Sequence, residues 1–244
     1  VRKINNKIII CIVNKIQKKI ISIGGGGFTH QSDKSLDEFV LNQCEVKNIK
    51  IGFLATASKD DKKKINFFYN RFEKLNLQLS HFNLCTEVKN FSEWILNKDI
   101  IYIGGGNTAY MLKVWKEQNL SRYFKKAYEK GIILSGVSAG AVCWFDWILT
   151  DSIGSVLQPI KGINLISGSC TPHSSDSKRI NQFELNIKNN KLPPGIAIDD
   201  GVAVLFIDGK PSQVYSSRKN HDAYFVDKNK KISLKEYIKK KNYE

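Results

Sequence analysis

From Lys19 to Leu134, short apolar runs alternate with amphipathic stretches. Lys19-Ile20-Ile21-Ser22-Ile23, Ile49 to Leu54, Leu77 to Phe82, Asp99 to Ile103 and Ile132-Ile133-Leu134 have strand length and are bounded by turn residues. Between them, Ser35 to Gln43, Asp60 to Leu75, Phe91 to Leu96, a segment from Ala109 and Leu120 to Lys130 read as helices. In the first, Ser35 is a candidate cap, with Leu36, Phe39 and Val40 on one face. In the second, Ile65, Phe68, Phe72 and Leu75 recur at helical spacing. In the third long helix Leu112 and Trp115 point inward, and Ala141 to Phe145 starts another.

Strands that alternate with helices imply a mainly parallel sheet flanked by helices, an α/β fold. The pattern loosens after residue 145. Ile163 to Ser169 reads as one or two short strands, and Ser177 to Asn189 as a helix with Ile180, Phe183, Leu185 and Ile187 apolar. Ile196 to Asp199, Val202 to Ile207 and Gln213 to Ser216, with a turn at Asp208-Gly209, predict a C-terminal β-hairpin region. The Lys-rich tail from Lys228 predicts a strand and a terminal helix. Ile8 to Val13 predicts an edge strand or an extension, so the expected organisation is an N-terminal segment, 1–18, and one α/β domain, 19–244.

Three strands run into small residues: Gly24 to Gly27, Gly104 to Thr108, and Gly136-Val137-Ser138-Ala139-Gly140. Sites in parallel sheets lie beyond the carboxyl ends of the strands, so all three point to one edge. A serine flanked by small residues between strand and helix predicts a nucleophile elbow. The turn pushes the Ser138 hydroxyl out past the sheet, and the unbonded Ala139 N–H can face a developing oxyanion. The Gly104 to Thr108 loop offers a second N–H donor.

A serine nucleophile needs a base, and the base an orienting acid. His173, after a proline in a short loop, ranks first by position, and His30, just past the first glycine run, second. His81 and His221 read as surface residues. Asp199-Asp200, Asp146 and Asp151 are candidate acids. A rival reading uses Gly104-x-Gly106-x-x-Ala109 as a dinucleotide fingerprint, although the next strand ends at Ser138 rather than at an acid.

The 244-residue chain carries a net charge of +15, but its lysines are scattered and only five residues are Arg, which argues against nucleic-acid binding. The charge favours acidic substrates through steering or reflects a Lys-rich composition. No apolar run near the start approaches the roughly 20 residues a membrane span needs, and no secretory signal is expected. Cys11, Cys44, Cys85, Cys143 and Cys170 show neither C-x-x-C nor metal spacing, which predicts reduced thiols in a cytoplasmic protein without metal or cofactor. Cys143 is expected in the core.

Ile103-Gly104-Gly105-Gly106-Asn107-Thr108, Gly136-Val137-Ser138-Ala139-Gly140-Ala141, Pro172-His173 and Asp200-Gly201, in that order, resemble the aspartyl dipeptidase (peptidase E) and cyanophycinase family of serine peptidases. Gly24 to Phe28 resembles a bacterial peptidase-E-like branch of that family. The resemblance implies a fold like class I glutamine amidotransferases, with serine in place of cysteine. It implies Ser138 as nucleophile, His173 as base, Asp200 as acid, with Asp199 as the alternative, and Gly106 and Ala139 as oxyanion hole. Gly105, Asn107 and Arg179 are the expected substrate contacts. The chain departs from the family twice: the family's acid is usually Glu, and the Arg that reads the substrate's aspartate aligns with Asp176, Arg179 being the nearest base. The expected activity is amide hydrolysis of short peptides through an acyl-enzyme, of dipeptidase or exopeptidase type, by a monomer or a homodimer.

Overall fold

The computed structural model describes residues 16–154 and 156–241; Ile8 to Val13 lies outside them. The order is β1 (Lys19–Ile23), α1 (Lys34–Leu41), β2 (Lys50–Leu54), α2 (Lys62–Phe72), β3 (Gln78–His81), α3 (Phe91–Leu96), β4 (Ile100–Ile103), α4 (Thr108–Glu117), α5 (Ser121–Glu129) and β5 (Ile133–Val137). Then come α6 (Ala139–Val142), β6 (Phe145–Thr150), β7 (Gln158–Lys161), β8 (Ile166–Thr171), α7 (Ser177–Lys188), β9 (Gly195–Ile198), β10 (Val202–Ile207), β11 (Lys210–Ser216), β12 (Ala223–Val226), β13 (Lys231–Ser233) and α8 (Leu234–Lys241).

Among the described residues the strands form two sheets. The first has seven strands in the order β11-β10-β1-β5-β4-β2-β3. Its β1, β5, β4, β2 and β3 run parallel, and β10 and β11 add an antiparallel pair beyond β1. The second has six strands in the order β13-β12-β9-β8-β6-β7, with β6, β8 and β9 parallel. The sequence pattern predicts the parallel strands of the first sheet and, of the second, strands near β8, β9 and β13, but neither β6, β7 and β12 nor the pairing of these strands into a sheet of their own. Its outer strands β7 and β13 are short and have no buried position, so they carry little periodic signal, whereas β8 and β9 are mostly buried.

Strand β4 is buried at every position, as a central parallel strand must be. Two cores cover the two faces of this sheet. On one, Phe28 packs among Phe53, Phe68, Phe72 and Tyr102. On the other, Trp115, Phe124 and Trp144 meet. A third cluster seats Ile180, Phe183 and Ile187 of α7 against Leu149 and Ala197 of the second sheet.

Several local expectations need correcting. Asp61 caps α2 by accepting the Lys64 N–H, and the helix ends at Phe72, which leaves Leu75 exposed. Ser35 lies inside α1, which begins after Asp33 in a left-handed conformation. In α4 the buried apolar residues are Met111, Val114 and Trp115, with Leu112 at the margin. In α7 Leu185 faces outward. The helix after the elbow has only four residues, because the chain turns at Cys143 and re-enters as β6 from Phe145. Cys143 is buried, as expected of a core residue, with its Sγ near the Gly140 carbonyl at 3.4 Å.

Candidate active site

The three glycine-rich or small-residue loops leave the ends of β1, β5 and β4, which are direct neighbours in the first sheet. Ser138 follows β5 with φ 55° and ψ −113°, a conformation of order 1–3 kcal/mol above the usual wells. Its N–H continues the β1–β5 pairing by donating to Ile23 O at 2.9 Å. The elbow needs its glycines because β4 runs directly beneath it. A Cβ at Gly136 would lie 2.8 Å from Ile103 O, and one at Gly140 would collide with the same carbonyl. A Cβ at Gly105 would sit 3.2 Å from Ser138 Cβ.

The second sheet brings the partners. His173 follows β8 and Asp200 follows β9, its parallel neighbour. Ser138 Oγ lies 2.8 Å from His173 Nε2, and His173 Nδ1 lies 2.5 Å from Asp200 Oδ1. The hydrogen bond with His173 holds the Asp200 carboxyl below the usual carboxylate range, against the effect of burial, with Ser175 and Arg218 assisting. Ser175 Oγ donates to the other oxygen of Asp200 at 3.2 Å.

Asp199 points elsewhere. It is buried, accepts from Ser174 Oγ at 2.6 Å and from the Asp222 N–H at 3.1 Å, and so ties the His173 loop to the chain entering β12. Of the other candidate acids, Asp151 pairs with Arg179 at 2.7 Å. His30 lies beside His173, with ring centroids 6.4 Å apart, but its Nδ1 is held at the Gly26 carbonyl at 3.0 Å. His81 is half-buried rather than on the surface and meets Tyr69 Oη at 2.8 Å on edge strand β3. His221 is half-buried between β11 and β12.

A cavity of about 130 Å³ adjoins Ser138 and is lined by Gly106, Asp151, His173 and Arg179. Arg179 is 9% exposed and reaches it from the first turn of α7. Gly106 has φ 150°, and a Cβ there would collide with the Ala57 carbonyl. Among the described residues, the N–H groups of Gly106 and Ala139 have no hydrogen-bond partner within the protein. The Asn107 side chain accepts from the Tyr110 N–H at 2.7 Å as the cap of α4 and donates to Ser152 O at 3.0 Å. Ser152 Oγ in turn accepts the Ala109 N–H at 2.9 Å. A larger cavity, about 660 Å³, lies at the opposite end of the sheet among Lys19, Lys98, Asp99 and Lys130.

Residue-by-residue reading misses three features. Gly25 and Gly201 clasp each other, the Gly201 N–H donating to Gly25 O at 2.8 Å, and Gly25 forms an isolated parallel bridge with Asp200. Arg218 and Ser217 grip Asp33 at 2.6 and 2.8 Å, which pins the loop after β11 to the loop after β1. Lys64 donates to the Gly105 carbonyl at 2.9 Å. The run Gly24 to Gly27 signals a close backbone approach, but its partner is 175 positions away and leaves no mark in local spacing.

A family model described as peptidase family S51 matches residues 20–214. The chain is 39% identical over 212 residues to "Uncharacterized peptidase YgaJ" of Bacillus subtilis (strain 168), covering 86% of this chain and 92% of that protein. Among solved structures it superposes on a peptidase from an acI-B1 Actinobacterium at a TM-score of 0.65, with 17% identity, covering 90% of this chain and 98% of the other. It also superposes on the "Putative Peptidase E Protein" of Listeria monocytogenes EGD-e at 0.60, with 17% identity, covering 82% and 98%. The two-sheet α/β fold is thus shared with known peptidases. The chain belongs to peptidase family S51. It is a serine-type peptidase of the peptidase-E-like kind, as the motifs in its sequence suggest. Among the described residues, no helix is long and apolar enough to cross a membrane.

Proposed function

We propose that the chain cleaves amide bonds of short peptides through an acyl-enzyme formed on Ser138. The observation that carries this is the unbroken contact from Ser138 Oγ through His173 to Asp200, 2.8 Å and then 2.5 Å. In the resting state Ser138 Oγ–H donates to His173 Nε2, and His173 Nδ1–H donates to Asp200 Oδ1. Asp200 fixes that tautomer and steadies the imidazolium that forms as Ser138 attacks. His173 takes the serine proton and returns it to the leaving amine. Water then hydrolyses the ester with His173 as base. Gly106 and Ala139 donate their N–H groups to the tetrahedral oxyanion, where one donor is worth about 10²–10³ in rate.

The small cavity beside Ser138 suits a short substrate. Arg179, held in its wall by the 61%-exposed Asp151, supplies positive charge for an acidic group, and the +15 net charge steers such substrates inward. Dipeptidase-like action in the cytoplasm, and the kinship of the elbow with that of class I glutamine amidotransferases, belong to the same reading.

The dinucleotide alternative fares worse. The N–H groups at the start of α4 that would hold a phosphate are taken by Ser152 and Asn107. Labelling with a fluorophosphonate, followed by peptide mapping, tests the proposal. An adduct on Ser138 in wild type, absent in Ser138→Ala and in His173→Ala, is the expected result. An unlabelled, folded wild type would overturn the reading.

A further inference from the structure

Lys64 sits in the first turn of α2, 41 positions before Gly105, whose carbonyl it holds. Its neighbours Lys62 and Lys63 are exposed, whereas Lys64 is half-buried, and burial pulls its pKa below the ordinary lysine range. Partial desolvation of an ammonium is unfavourable, so the site must return something for it. Asp61, at the cap of the same helix, is the acid that favours its charge.

The bond goes to one end of a peptide unit whose other end is the Gly106 N–H. A trans peptide is planar, so its C=O and N–H point in opposite directions. With the carbonyl turned to Lys64, the N–H is turned the other way, and Gly106 lines the cavity that Ser138 opens into. Both flanking residues are glycine for steric reasons: a side chain at Gly105 would press on Ser138, and one at Gly106 would strike Ala57 O. Two successive glycines also leave the peptide between them free to turn over. A flip would put a carbonyl oxygen where the oxyanion should form. The next peptide is fixed separately, by the Asn107 N–H to Ala57 O at 2.7 Å.

We propose that Lys64 is a positioning residue of this site: it holds the Gly105–Gly106 peptide with its N–H toward Ser138 and, through its charge at the carbonyl, strengthens that N–H as a donor. The proposal rests on the hydrolase reading above. Hydrogen bonds in series polarise one another, which gives the second effect its cause.

The test is fluorophosphonate inactivation of wild type, K64M and K64R, with kinact and KI measured separately and thermal melting run alongside. The phosphonyl oxygen uses the same donors as a tetrahedral intermediate. In K64M kinact should fall about tenfold or more, short of losing a donor outright, with KI within about twofold. K64R, which keeps a charged donor, should recover kinact to within about threefold of wild type. If K64M does not fold, K64Q replaces it under the same criteria. A neutral variant with kinact within about twofold of wild type overturns the role of Lys64, as does a loss that K64R fails to recover. A wild type that forms no adduct overturns the hydrolase reading, and this proposal with it.

Discussion

Gly25 lies flush against the Asp200 carboxylate: a Cβ at this position would collide with Asp200 Oδ1 and come within 2.9 Å of His173 Nδ1. The first residues of the loop after β1 therefore form a wall against both acid and imidazole. Gly25 does not hold a left-handed conformation, so its need for glycine is steric.

Gly25→Ala should consequently behave like loss of the acid. The added methyl displaces Asp200 from His173, and disrupting the orienting acid of such a site costs up to about 10⁴ in rate. The fluorophosphonate inactivation rate of Gly25→Ala should fall at least about tenfold. The double variant with Asp200→Ala should be no slower than the worse single variant, because both act on one contact. Additive losses would show that Gly25 acts by another route.

The elbow makes a stability prediction. A Cβ at Gly140 meets the Ile103 carbonyl and lies 2.7 Å from the Ile103 Cβ, in a strand buried at every position. Overpacking of this kind typically costs 1–3 kcal/mol. Urea unfolding of Gly140→Ala should show a loss in that range with an unchanged m-value, and Ser138 labelling should drop with it. A variant as stable as wild type would mean that β4 and the elbow leave room for a methyl group between them.

Asp37 gives a pH signature. It is 2% exposed beneath the Gly24 to Gly27 loop and accepts from the Phe28 N–H at 3.3 Å. Burial raises its pKa to about 7, partly opposed by Arg71 at 2.9 Å, while Glu38 and Asp33 add to the rise. The folded state thus holds a proton that the unfolded state releases near its ordinary value of 3.8. Folding is free of this penalty below that value and bears all of it above about 7. The stability of wild type relative to Asp37→Asn should therefore decline between pH 4 and pH 7, by a few kcal/mol at most, and level off above. Urea titrations at pH 4.5, 6 and 8 measure it. A difference that stays flat or grows with pH would show that Arg71 keeps Asp37 ionised.

Arg179 should discriminate among substrates rather than drive the reaction. Hydrogen bonds to charged groups contribute about 1.5–3 kcal/mol. Arg179→Met should raise KI about tenfold for a phosphonate probe with an acidic side chain and leave a neutral probe within about twofold. Equal losses for both probes would assign Arg179 and its partner Asp151 to holding α7 against the β6–β7 loop.

Much of this protein is legible in its sequence because the relevant physics is local. Short apolar runs between amphipathic helices specify the parallel sheet. Glycines at the ends of β1, β4 and β5 mark the edge where backbone must approach closely, and Gly136 and Gly140 around Ser138 mark the elbow. The ranking of His173 over His30 follows from its loop, and the structure puts His173, not His30, against the serine.

Local pattern fails where contacts are distant. Ala141 to Phe145 is uniformly apolar, so periodicity cannot tell a continuing helix from the four-residue helix and following strand that form. The strands that deliver His173 and Asp200, β8 and β9, read as strands one by one, but their pairing in a second sheet joins segments that local pattern does not connect. Between Asp199 and Asp200 the family resemblance ranks Asp200 first, but local pattern does not choose, because adjacent residues on an extended chain point to opposite sides and the packing sets which side meets the histidine. That choice, the Gly25 wall and the Lys64 bond depend on the meeting of segments far apart in the chain. Tertiary structure decided them, because nothing in their near neighbours distinguishes one partner from another.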